Sequence, residues 1–533
     1  MAVSEDRRYT KAYVYDLLES VKGKTLGEVD SSCQFARTEK SEKITGIAGD
    51  VIEQSVFKYA RDSKQECDIE IDGVLTELKT TGIRIPKSDW AKVRGKSGHE
   101  YNMYLGAKEG ISITGVTFEP SIQTDFETSH FWEKAEHLLI VFYEYQSYDV
   151  VPASAYANFP IIDYCYNTFS ESEKGQLQND WEIVRNHLLE IYTKYSNQND
   201  RNENLIGFTH VLRPNLLLIE LVPGFKKKST GTFQKPRYRL KQTFVDYIVR
   251  GHFNKSRSSV EVQLKESFSS FAQLDERCHK LTEKYKGKTF AQLKEELGVV
   301  ADVTTKDFAA LCILKMFDVD CKRLNQISDF SKAGIIAKTI TLTPEGGRTE
   351  DMKLQHIDFE EWADRDVDFI ESSVYSYFCE HNFLCPIFCE RGNTKKNTMK
   401  DPDLQKAEDS RVIEELWKTT FEGFKRFAFD EDFIENEVRR TWEDSRALIH
   451  QNKLEWEYVL DKDGNVRMNK SGSYMGAPNF PKSSEYDVFF RGGANDSSDK
   501  ARIECVNGIR MVPQYFWLKG SFIANKLQSI SYL

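Results

Sequence analysis

The sequence predicts an α+β protein made of two tandem copies of one domain, each with a mixed central sheet flanked by helices. Three observations support this prediction. Alternating apolar and polar residues mark a hairpin over Cys67–Thr81, a segment with helical periodicity precedes it, and four pairs of similar segments recur in the same order along the 533 residues. A chain of this length exceeds what one hydrophobic core supports, so at least two domains are expected.

The hairpin is predicted from the segment CDIEIDGVLTELKTT. Alternation indicates a half-buried strand, and the pair Asp72-Gly73 favours a tight two-residue turn, which needs positive φ at both positions. In that register Asp68 lies opposite Glu77, and Lys79 points to the same face. Two facing carboxylates repel each other unless a cation lies between them, and oxygen ligands suit Mg²⁺. The alternative interpretation is a solvated face of an ordinary edge hairpin.

Composition favours a soluble globular protein, with 40% hydrophobic and 29% charged residues. We expect a cytoplasmic location, because no run of about 18 apolar residues and no signal-peptide pattern is present. The ten cysteines are scattered through a long chain and favour reduced thiols. A zinc site at Cys379, His381, Cys385 and Cys389 is disfavoured, because the segment FLCPIF reads as a buried strand that would separate its cysteines by roughly 13 Å.

The repeat links segments about 260 residues apart. The paired segments contain Lys24 and Lys288, Lys79 and Lys338, Trp181 and Trp442, and Lys241 and Lys519. Weak matches that keep one order indicate a duplication. We therefore predict domains at residues 1–255 and 260–533, separated by the polar segment around Asn254–Ser259.

The two copies differ where the chemistry would lie. Ile336 stands in the second copy where the first has Glu77, and Ala310 stands near the position of the helix acid Glu53. A purely structural repeat would give no reason to lose acids from one copy alone. The first copy is therefore predicted to be catalytic, and the second to be a binding module.

At these residues the sequence resembles the MutH family, specifically its duplicated, GATC-cutting type II restriction endonucleases. The resemblance rests on the segments GIAGDVIEQ, CDIEIDGVLTELKTT, HFWEKAEHLLIVFYEY, DWE and YRLKQTF, and in the second half on FPKSSEYDVFFRGG and FWLKGSF. It implies two restriction-endonuclease-like folds and a D…ExK metal site for Mg²⁺. Asp68, Glu77 and Lys79 match that motif, with Glu53 as an additional acid. The spacing from Asp68 to ELK is two residues longer than in the family, which makes Asp72 a rival ligand.

The resemblance implies Mg²⁺-dependent cleavage of double-stranded DNA at GATC, leaving 5′-phosphate ends, with an allosteric second domain. It also implies dimerisation or looping on two DNA sites, and a cognate methyltransferase that acts on the same sequence. An arginine that follows a strand reads the site in this family. The predicted DNA-binding residues are Arg213, Tyr238, Lys241, Arg491, Lys519 and, as a phosphate contact, Lys134.

Two alternatives remain open on sequence grounds. A nicking endonuclease of the mismatch-repair kind needs only one such domain, so the second copy disfavours it. A non-catalytic DNA-binding regulator does not need acids that face phosphates, so the set of Asp68, Glu77 and Lys79 disfavours it.

Overall fold

The structure is a computed structural model that describes residues 7–41, 44, 46–59, 66–86, 89–147, 151–207, 209–222, 224–226, 233–254, 262–348, 350–365, 367–468, 472–493 and 498–533. The chain divides into two compact units. The first comprises Met1–Leu274 with Gln326–Gly334, and the second comprises Asp275–Asn325 with Ile335–Leu533. The linker predicted after Asn254 lies largely outside the described residues, and the domain limits 1–255 and 260–533 stay a prediction.

The strands of the first unit form a mixed central sheet and two smaller antiparallel sheets. They are β1 (Arg8–Tyr9), β2 (Ile69–Ile71), β3 (Val74–Arg84), β4 (Gly106–Ala107), β5 (Ile111–Gly115), β6 (His137–Glu144), β7 (Ile161–Thr168), β8 (Ile219–Val222), β9 (Phe225–Lys226), β10 (Phe233–Gln234) and β11 (Arg237–Leu240). The central order is β1-β2-β3-β6-β7, with β4 on β3, and β3 runs parallel to β6. Strand β11 lies between β5 and β8, and β9 pairs with β10.

Helices surround these sheets. They are α1 (Lys11–Val21), α2 (Leu26–Val29), α3 (Ile47–Val51), α4 (Trp90–Val93), α5 (Gly98–Asn102), α6 (Phe118–Gln123), α7 (His130–Ala135), α8 (Glu171–Lys194), α9 (Gln198–Gly207), α10 (Thr209–Leu212) and α11 (Gln242–Phe253). A π-helix over Ile52–Val56 continues α3. The buried faces of α1, α3 and the π-helix pack on residues of β2, β3 and β6 to form a core that includes Val14, Leu18, Ile52, Ile69 and Leu139.

The strands of the second unit are β12 (Ile335–Ala337), β13 (Ile340–Leu342), β14 (Met352–His356), β15 (Asn382–Cys389), β16 (Thr420–Phe427), β17 (Trp456–Tyr458), β18 (Gly476–Pro478), β19 (Val488–Gly492), β20 (Glu504–Val506), β21 (Ile509–Met511) and β22 (Gln514–Leu518). In the main sheet, β15 runs parallel to β12 and β13 and antiparallel to β16. Strand β22 lies between β14 and β19. Every residue of β15 is buried, which confirms the strand predicted at FLCPIF.

The later helices are α12 (Phe271–Tyr285), α13 (Phe290–Leu297), α14 (Phe308–Met316), α15 (Ser328–Lys332), α16 (Phe359–Ala363), α17 (Ser373–Glu380), α18 (Pro402–Trp417), α19 (Glu431–Phe433), α20 (Arg439–His450) and α21 (Gly520–Gln528). A π-helix over Ile434–Val438 joins α19 to α20. Helix α15 belongs to the first unit. The core of the second unit gathers large aromatic side chains, among them Trp362, Phe378 and Phe516. Within the described residues, no helix combines the length and the apolar character that a membrane crossing requires.

The repeated segments have the same local structure in both units. In the similar segments KGKTLGE and KGKTFAQ, the threonine caps a helix through a reciprocal capping box, formed by Thr25 with Glu28 and by Thr289 with Gln292. Such a box satisfies two backbone N–H groups that the first turn leaves without partners. The similarity between these segments therefore reflects a requirement of helix initiation.

Asp180 of the DWE segment has a structural role inside the first unit. The side chain is fully buried on α8, and its two oxygens accept hydrogen bonds from the backbone N–H groups of Leu217, Leu218 and Ile219 at 2.7–2.9 Å. Burial raises the pKa of Asp180 to about 6 although these donors favour the charged form. The carboxylate thus fixes the chain at the entrance to β8.

Asp163 on β7 is stabilised in its ionised form. Its oxygens lie 2.9 Å from Lys22 Nζ and 3.2 Å from His252 Nε2, and they accept the N–H of Tyr164 at 3.0 Å. Burial opposes ionisation, but these hydrogen bonds prevail and lower the pKa of Asp163 to about 2. The cluster ties the start of the chain to the last strand of the central sheet.

Candidate active site

The predicted hairpin is confirmed in its register. Strands β2 and β3 pair with Ile69 opposite Thr76 and Ile71 opposite Val74. Between them Asp72 and Gly73 have φ of 48° and 84°, the positive values that a tight turn of this kind requires. Asp72 therefore lies at the exposed tip of the hairpin.

Asp68 is anchored at the start of this hairpin. Its Oδ2 accepts a hydrogen bond of 2.9 Å from the backbone N–H of Leu78, which fixes the carboxylate beside β3. Burial, followed by repulsion from Glu77, raises the pKa of Asp68 above its ordinary value. Asp68 is thus positioned by the backbone and held close to a second acid.

Glu77 is buried between two lysines. Only 2% of the residue is exposed. Oε1 lies 2.7 Å from Lys79 Nζ, and Oε2 lies 2.8 Å from Lys134 Nζ. Lys134 reaches this position because α7 leads directly into β6, whose Leu138 pairs with Glu77 on β3. Both carboxylate oxygens are therefore engaged by cations of the chain itself.

Glu53 approaches from the π-helix that follows α3. Gly49 of α3 faces β3 and Glu53, since a Cβ added there would lie 3.6 Å from Thr80 Oγ1 and 3.9 Å from Glu53 Oε1, at ordinary contact distance. π-Helical turns within α-helices occur frequently at functional sites. The local irregularity presents Glu53 toward the acids of the hairpin.

These side chains line one cavity with a volume of about 380 Å³. Its walls include Asp50, Glu53, Asp68, Lys79, Gly49, Tyr59, Gly110 and Ser112. The structure thus brings together the predicted residues Glu53, Asp68 and Lys79, and Glu77 lies directly beside them through its contact with Lys79. Asp72 is not part of this lining.

The cavity concentrates negative charge. Burial, together with the carboxylates of Asp68 and Asp50, raises the pKa of Glu53 to about 7. Burial opposes the charged form of Lys79, but Glu77 and Asp68 more than offset it and raise the pKa of the ammonium group. The lysine therefore stays protonated at neutral pH, while Glu53 takes up a proton at a higher pH than an ordinary glutamate does.

The side chains around the cavity suit a hard divalent cation in donor type, because the carboxylates supply oxygen ligands and excess negative charge. Within the described residues, however, no three His, Cys, Asp or Glu side chains are arranged so that they could hold a metal ion. The two oxygens of Glu77 contact Lys79 and Lys134, respectively. The donor chemistry fits Mg²⁺, while the ligand set predicted from the sequence is not assembled in this arrangement.

Lys134 is not placed as the predicted phosphate contact. The residue is 8% exposed, and its Nζ is used by Glu77 and, at 2.9 Å, by the backbone oxygen of Glu66. Its position in the last turn of α7 directs it into the protein, so the role supported by the structure is to hold Glu77.

Two further predicted DNA contacts lie in the core. Tyr238 and Lys241 are each 1% exposed; the ring of Tyr238 packs on Phe131, and Lys241 Nζ donates to the backbone oxygen of Leu216 at 2.6 Å. Neither side chain can reach DNA from this position. The YRLK segment is therefore explained by packing and by the attachment of α11.

The remaining predicted DNA-binding residues occupy different settings. Arg213 begins a short 3₁₀ helix over Arg213–Asn215, which precedes β8, so it does not follow a strand as the prediction required. Lys519 caps α21 and is half-buried. Arg491 lies on β19, with 47% of its side chain exposed and an ion pair of 2.6 Å to Asp351. Of these three, Arg491 has the exposure that base recognition needs.

Sequence reasoning missed two contacts that shape the cavity. Arg37 forms an ion pair of 2.5 Å with Asp50, and the guanidinium of Arg7 lies 4.5 Å from the ring centroid of Tyr59. Asp50 adjoins Gly49 in the predicted helix, but its partner is 13 residues away in sequence. The pattern of one helix could not reveal that pairing.

Comparison with known proteins agrees with this geometry. A family model described as the DNA mismatch repair enzyme MutH matches residues 57–180. The chain is also 23% identical to the type II restriction enzyme Sau3AI of Staphylococcus aureus, an alignment that covers 98% of this chain and 99% of that protein. Both descriptions name enzymes. The resemblance predicted from the motifs is therefore confirmed: residues 57–180 match a MutH family model, and the chain is similar over nearly its whole length to a type II restriction enzyme.

Proposed function

We propose that the chain is a type II restriction endonuclease that hydrolyses phosphodiester bonds of double-stranded DNA at a specific sequence. The observation that carries this proposal is the convergence of Glu53, Asp68 and Lys79 on one cavity, beside Glu77. The full-length similarity to a restriction enzyme supports it. The cutting centre belongs to the first unit.

The roles of the residues follow from their chemistry. Asp68, Glu53 and Glu77 would hold Mg²⁺, and Lys79 would face the scissile phosphate. When bound, the cation polarises that phosphate and lowers the pKa of the attacking water. Lys79 is protonated at neutral pH, so it serves charge stabilisation on the phosphoryl oxygens. The backbone bond from Leu78 keeps Asp68 in place while the substrate binds.

Three further properties of the enzyme are proposed from the family resemblance. They are recognition of GATC, products with 5′-phosphate and 3′-hydroxyl ends, and a cognate methyltransferase that acts on the same site. Arg491 is the candidate for a bidentate contact to guanine, the commonest specific contact in the major groove.

We further propose that the second unit is a duplicated copy, within domain limits of 1–255 and 260–533, and that it binds DNA as an effector. Support comes from strand order: β11 lies between β5 and β8, as β22 lies between β14 and β19, and all four pairings are antiparallel. Lys241 and Lys519 each directly follow the middle strand and precede a helix. An effector unit accounts for looping or dimerisation on two DNA sites.

A nicking endonuclease of the mismatch-repair kind is the second candidate, because the matching family model is described as a DNA mismatch repair enzyme. Incubation of a supercoiled plasmid with the full chain and Mg²⁺ separates the candidates. Linear fragments with fixed ends support the restriction endonuclease, nicked circles support the nickase, and unchanged plasmid supports a non-catalytic regulator.

The effector proposal has its own test. Cleavage rates are compared on plasmids with one site and two sites at equal site concentration, with and without an uncleavable oligonucleotide that carries the site. Two-site DNA should be cut faster, and the oligonucleotide should accelerate cleavage of one-site DNA, through a coupling free energy of about 1–3 kcal/mol. Equal rates that the oligonucleotide leaves unchanged would contradict the proposal.

A further inference from the structure

Two lysines of the second unit occupy positions that correspond to the lining of the catalytic cavity in the first. Lys338 follows β12, and its backbone N–H donates to Leu384 on the parallel strand β15. The sequence repeat pairs Lys338 with Lys79. Lys79 lies on β3, which likewise runs beside a parallel strand, β6. Lys79 lines the cavity of the first unit.

Strand register gives the second correspondence independently. In the second unit Lys353 of β14 lies opposite Trp517, two residues before Lys519. In the first unit Ser112 of β5 lies opposite Arg239, two residues before Lys241. Lys353 therefore corresponds to Ser112, which also lines the catalytic cavity.

Arg348 is the third cation in this region. We call Lys338, Arg348 and Lys353 together the cation cluster. Its Nε donates to the backbone oxygen of Glu350 at 2.6 Å, whereas its Nη1 is buried and has no hydrogen-bond partner among the described residues. Across the described part of the chain, no carboxylate forms an ion pair with a member of the cluster.

The environment of the cluster favours an anion. Burial, then the charges of Lys353 and Arg348, lowers the pKa of Lys338. The adjacent Cys385 supplies no compensating charge, because burial raises the pKa of its thiol to about 12. Glu350 and Asp351 offset part of the charge of Arg348. Lys338 is still repelled by Lys353 and Arg348 in a partly buried site, which is unfavourable. A bound oxyanion would relieve this repulsion.

The cluster is continuous with the predicted base-reading residue. Lys353 Nζ lies 3.4 Å from the ring centroid of Tyr515, and Tyr515 pairs across the sheet with Arg491. The acid Asp351 forms an ion pair of 2.6 Å with Arg491 and also interacts electrostatically with Arg348. The sheet β14-β22-β19 therefore carries both the exposed Arg491 and Lys353 of the cation cluster.

We propose that Lys338, Arg348 and Lys353 form a metal-independent binding site for a backbone phosphate of double-stranded DNA, at the place in the second unit that corresponds to the catalytic cavity of the first. The inference rests on the proposed function, in which the second unit binds DNA. The loss of the acids, with Ile336 at the position of Glu77 and Ala310 near that of Glu53, explains how a unit of this kind can hold a phosphodiester without cutting it, since ligands for a metal are gone while cations that attract phosphate are present.

The test measures duplex binding by the full chain in EDTA, where no cleavage occurs, across a range of salt concentrations. The parent is compared with Lys338→Ala, with Lys353→Ala and with the double variant. Lys418→Ala is the matched control, because Lys418 lies in the same unit and is neutralised by Glu415 at 2.8 Å. The charge-conserving Lys353→Arg serves as a second control for folding.

We expect the double variant to bind every duplex tested about ten-fold more weakly than the parent. The slope of log affinity against log salt concentration should also decrease in magnitude by about 1. Lys418→Ala should match the parent, and Lys353→Arg should recover most of the affinity. Parent-like affinity and salt slope in the double variant would overturn the inference.

Two further arms complete the design. In the first, thermal unfolding is followed while inorganic phosphate is added at constant ionic strength. Free phosphate could stabilise the parent while the double variant still binds duplex as the parent does. That combination would identify a free-anion site and overturn the DNA assignment. Plasmid cleavage by the parent with Mg²⁺ is measured in parallel. Absence of cleavage there would contradict the proposed function, while the loss of duplex binding in EDTA would still support the phosphate site.

Discussion

Replacing Lys134 tests whether this lysine holds Glu77 or contacts DNA. Lys134→Met removes the 2.8 Å ion pair with Glu77 and the 2.9 Å bond to the backbone oxygen of Glu66, while the chain length of the side chain is nearly kept. Glu77 then retains only Lys79 at 2.7 Å. One oxygen of a carboxylate that is 2% exposed is left without a partner.

The cost follows from burial. Breaking a buried pair by removing one partner costs about 3–5 kcal/mol, and the lower end applies here because Lys79 remains. We therefore expect Lys134→Met to lower the free energy of unfolding of the first unit by about 3 kcal/mol in EDTA. Mg²⁺ should stabilise this variant more than it stabilises the parent, because the cation can take the place of the lost lysine.

The assay is urea unfolding in EDTA and in Mg²⁺, with the transition of the first unit followed separately. Lys174→Met is the control, since Lys174 forms a pair of similar length, 2.9 Å, with the exposed Glu127 and should matter far less. Adding Glu77→Gln to Lys134→Met should restore part of the lost stability, because an amide carries no unpaired charge. A variant that unfolds like the parent but binds all DNA more weakly would refute this reasoning and restore Lys134 as a phosphate contact.

Three other predictions follow. Glu77→Ala should abolish cleavage and leave duplex binding largely intact, whereas Asp72→Ala should stay active, as measured by a plasmid cleavage assay. Residual cleavage above a few per cent by Glu77→Ala would contradict the catalytic role of Glu77. Arg491→Ala should reduce discrimination between cognate and non-cognate DNA by about 1–3 kcal/mol in competition binding, while an equal loss on all sequences would make it a phosphate contact. Asp163→Asn should destabilise by about 2 kcal/mol at pH 7, because the pKa of Asp163 lies at about 2 when folded and near 4 when unfolded. That difference should vanish as the pH falls from 4 to 2, and pH-dependent unfolding checks it.

The hairpin could be predicted from sequence because it depends on local rules. Asp72-Gly73 fixes a two-residue turn, so the register of Ile69 and Thr76 follows from counting along the chain. The capping threonines Thr25 and Thr289 likewise leave a signature within four residues. Neighbouring residues determine these features, and no distant contact is needed to infer them.

Side-chain destinations across the fold could not be inferred in the same way. Lys134, Tyr238 and Lys241 read as basic or aromatic residues suited to DNA, but each points inward. Lys134 does so because a parallel pairing of β3 with β6, more than 50 residues apart, places it beside Glu77. Sequence patterns show which residues of a strand point to the same face. The packing of strands that are distant in sequence decides which side chains contact each other.

The most direct test of the central claim is the sequence of DNA ends produced by the full chain with Mg²⁺, with Glu77→Gln and an EDTA reaction run alongside. We expect only the parent with Mg²⁺ to produce double-strand ends at one recurring sequence, each with a 5′-phosphate. Ends scattered over unrelated sequences, or the same ends produced by Glu77→Gln at the parent's rate, would contradict it.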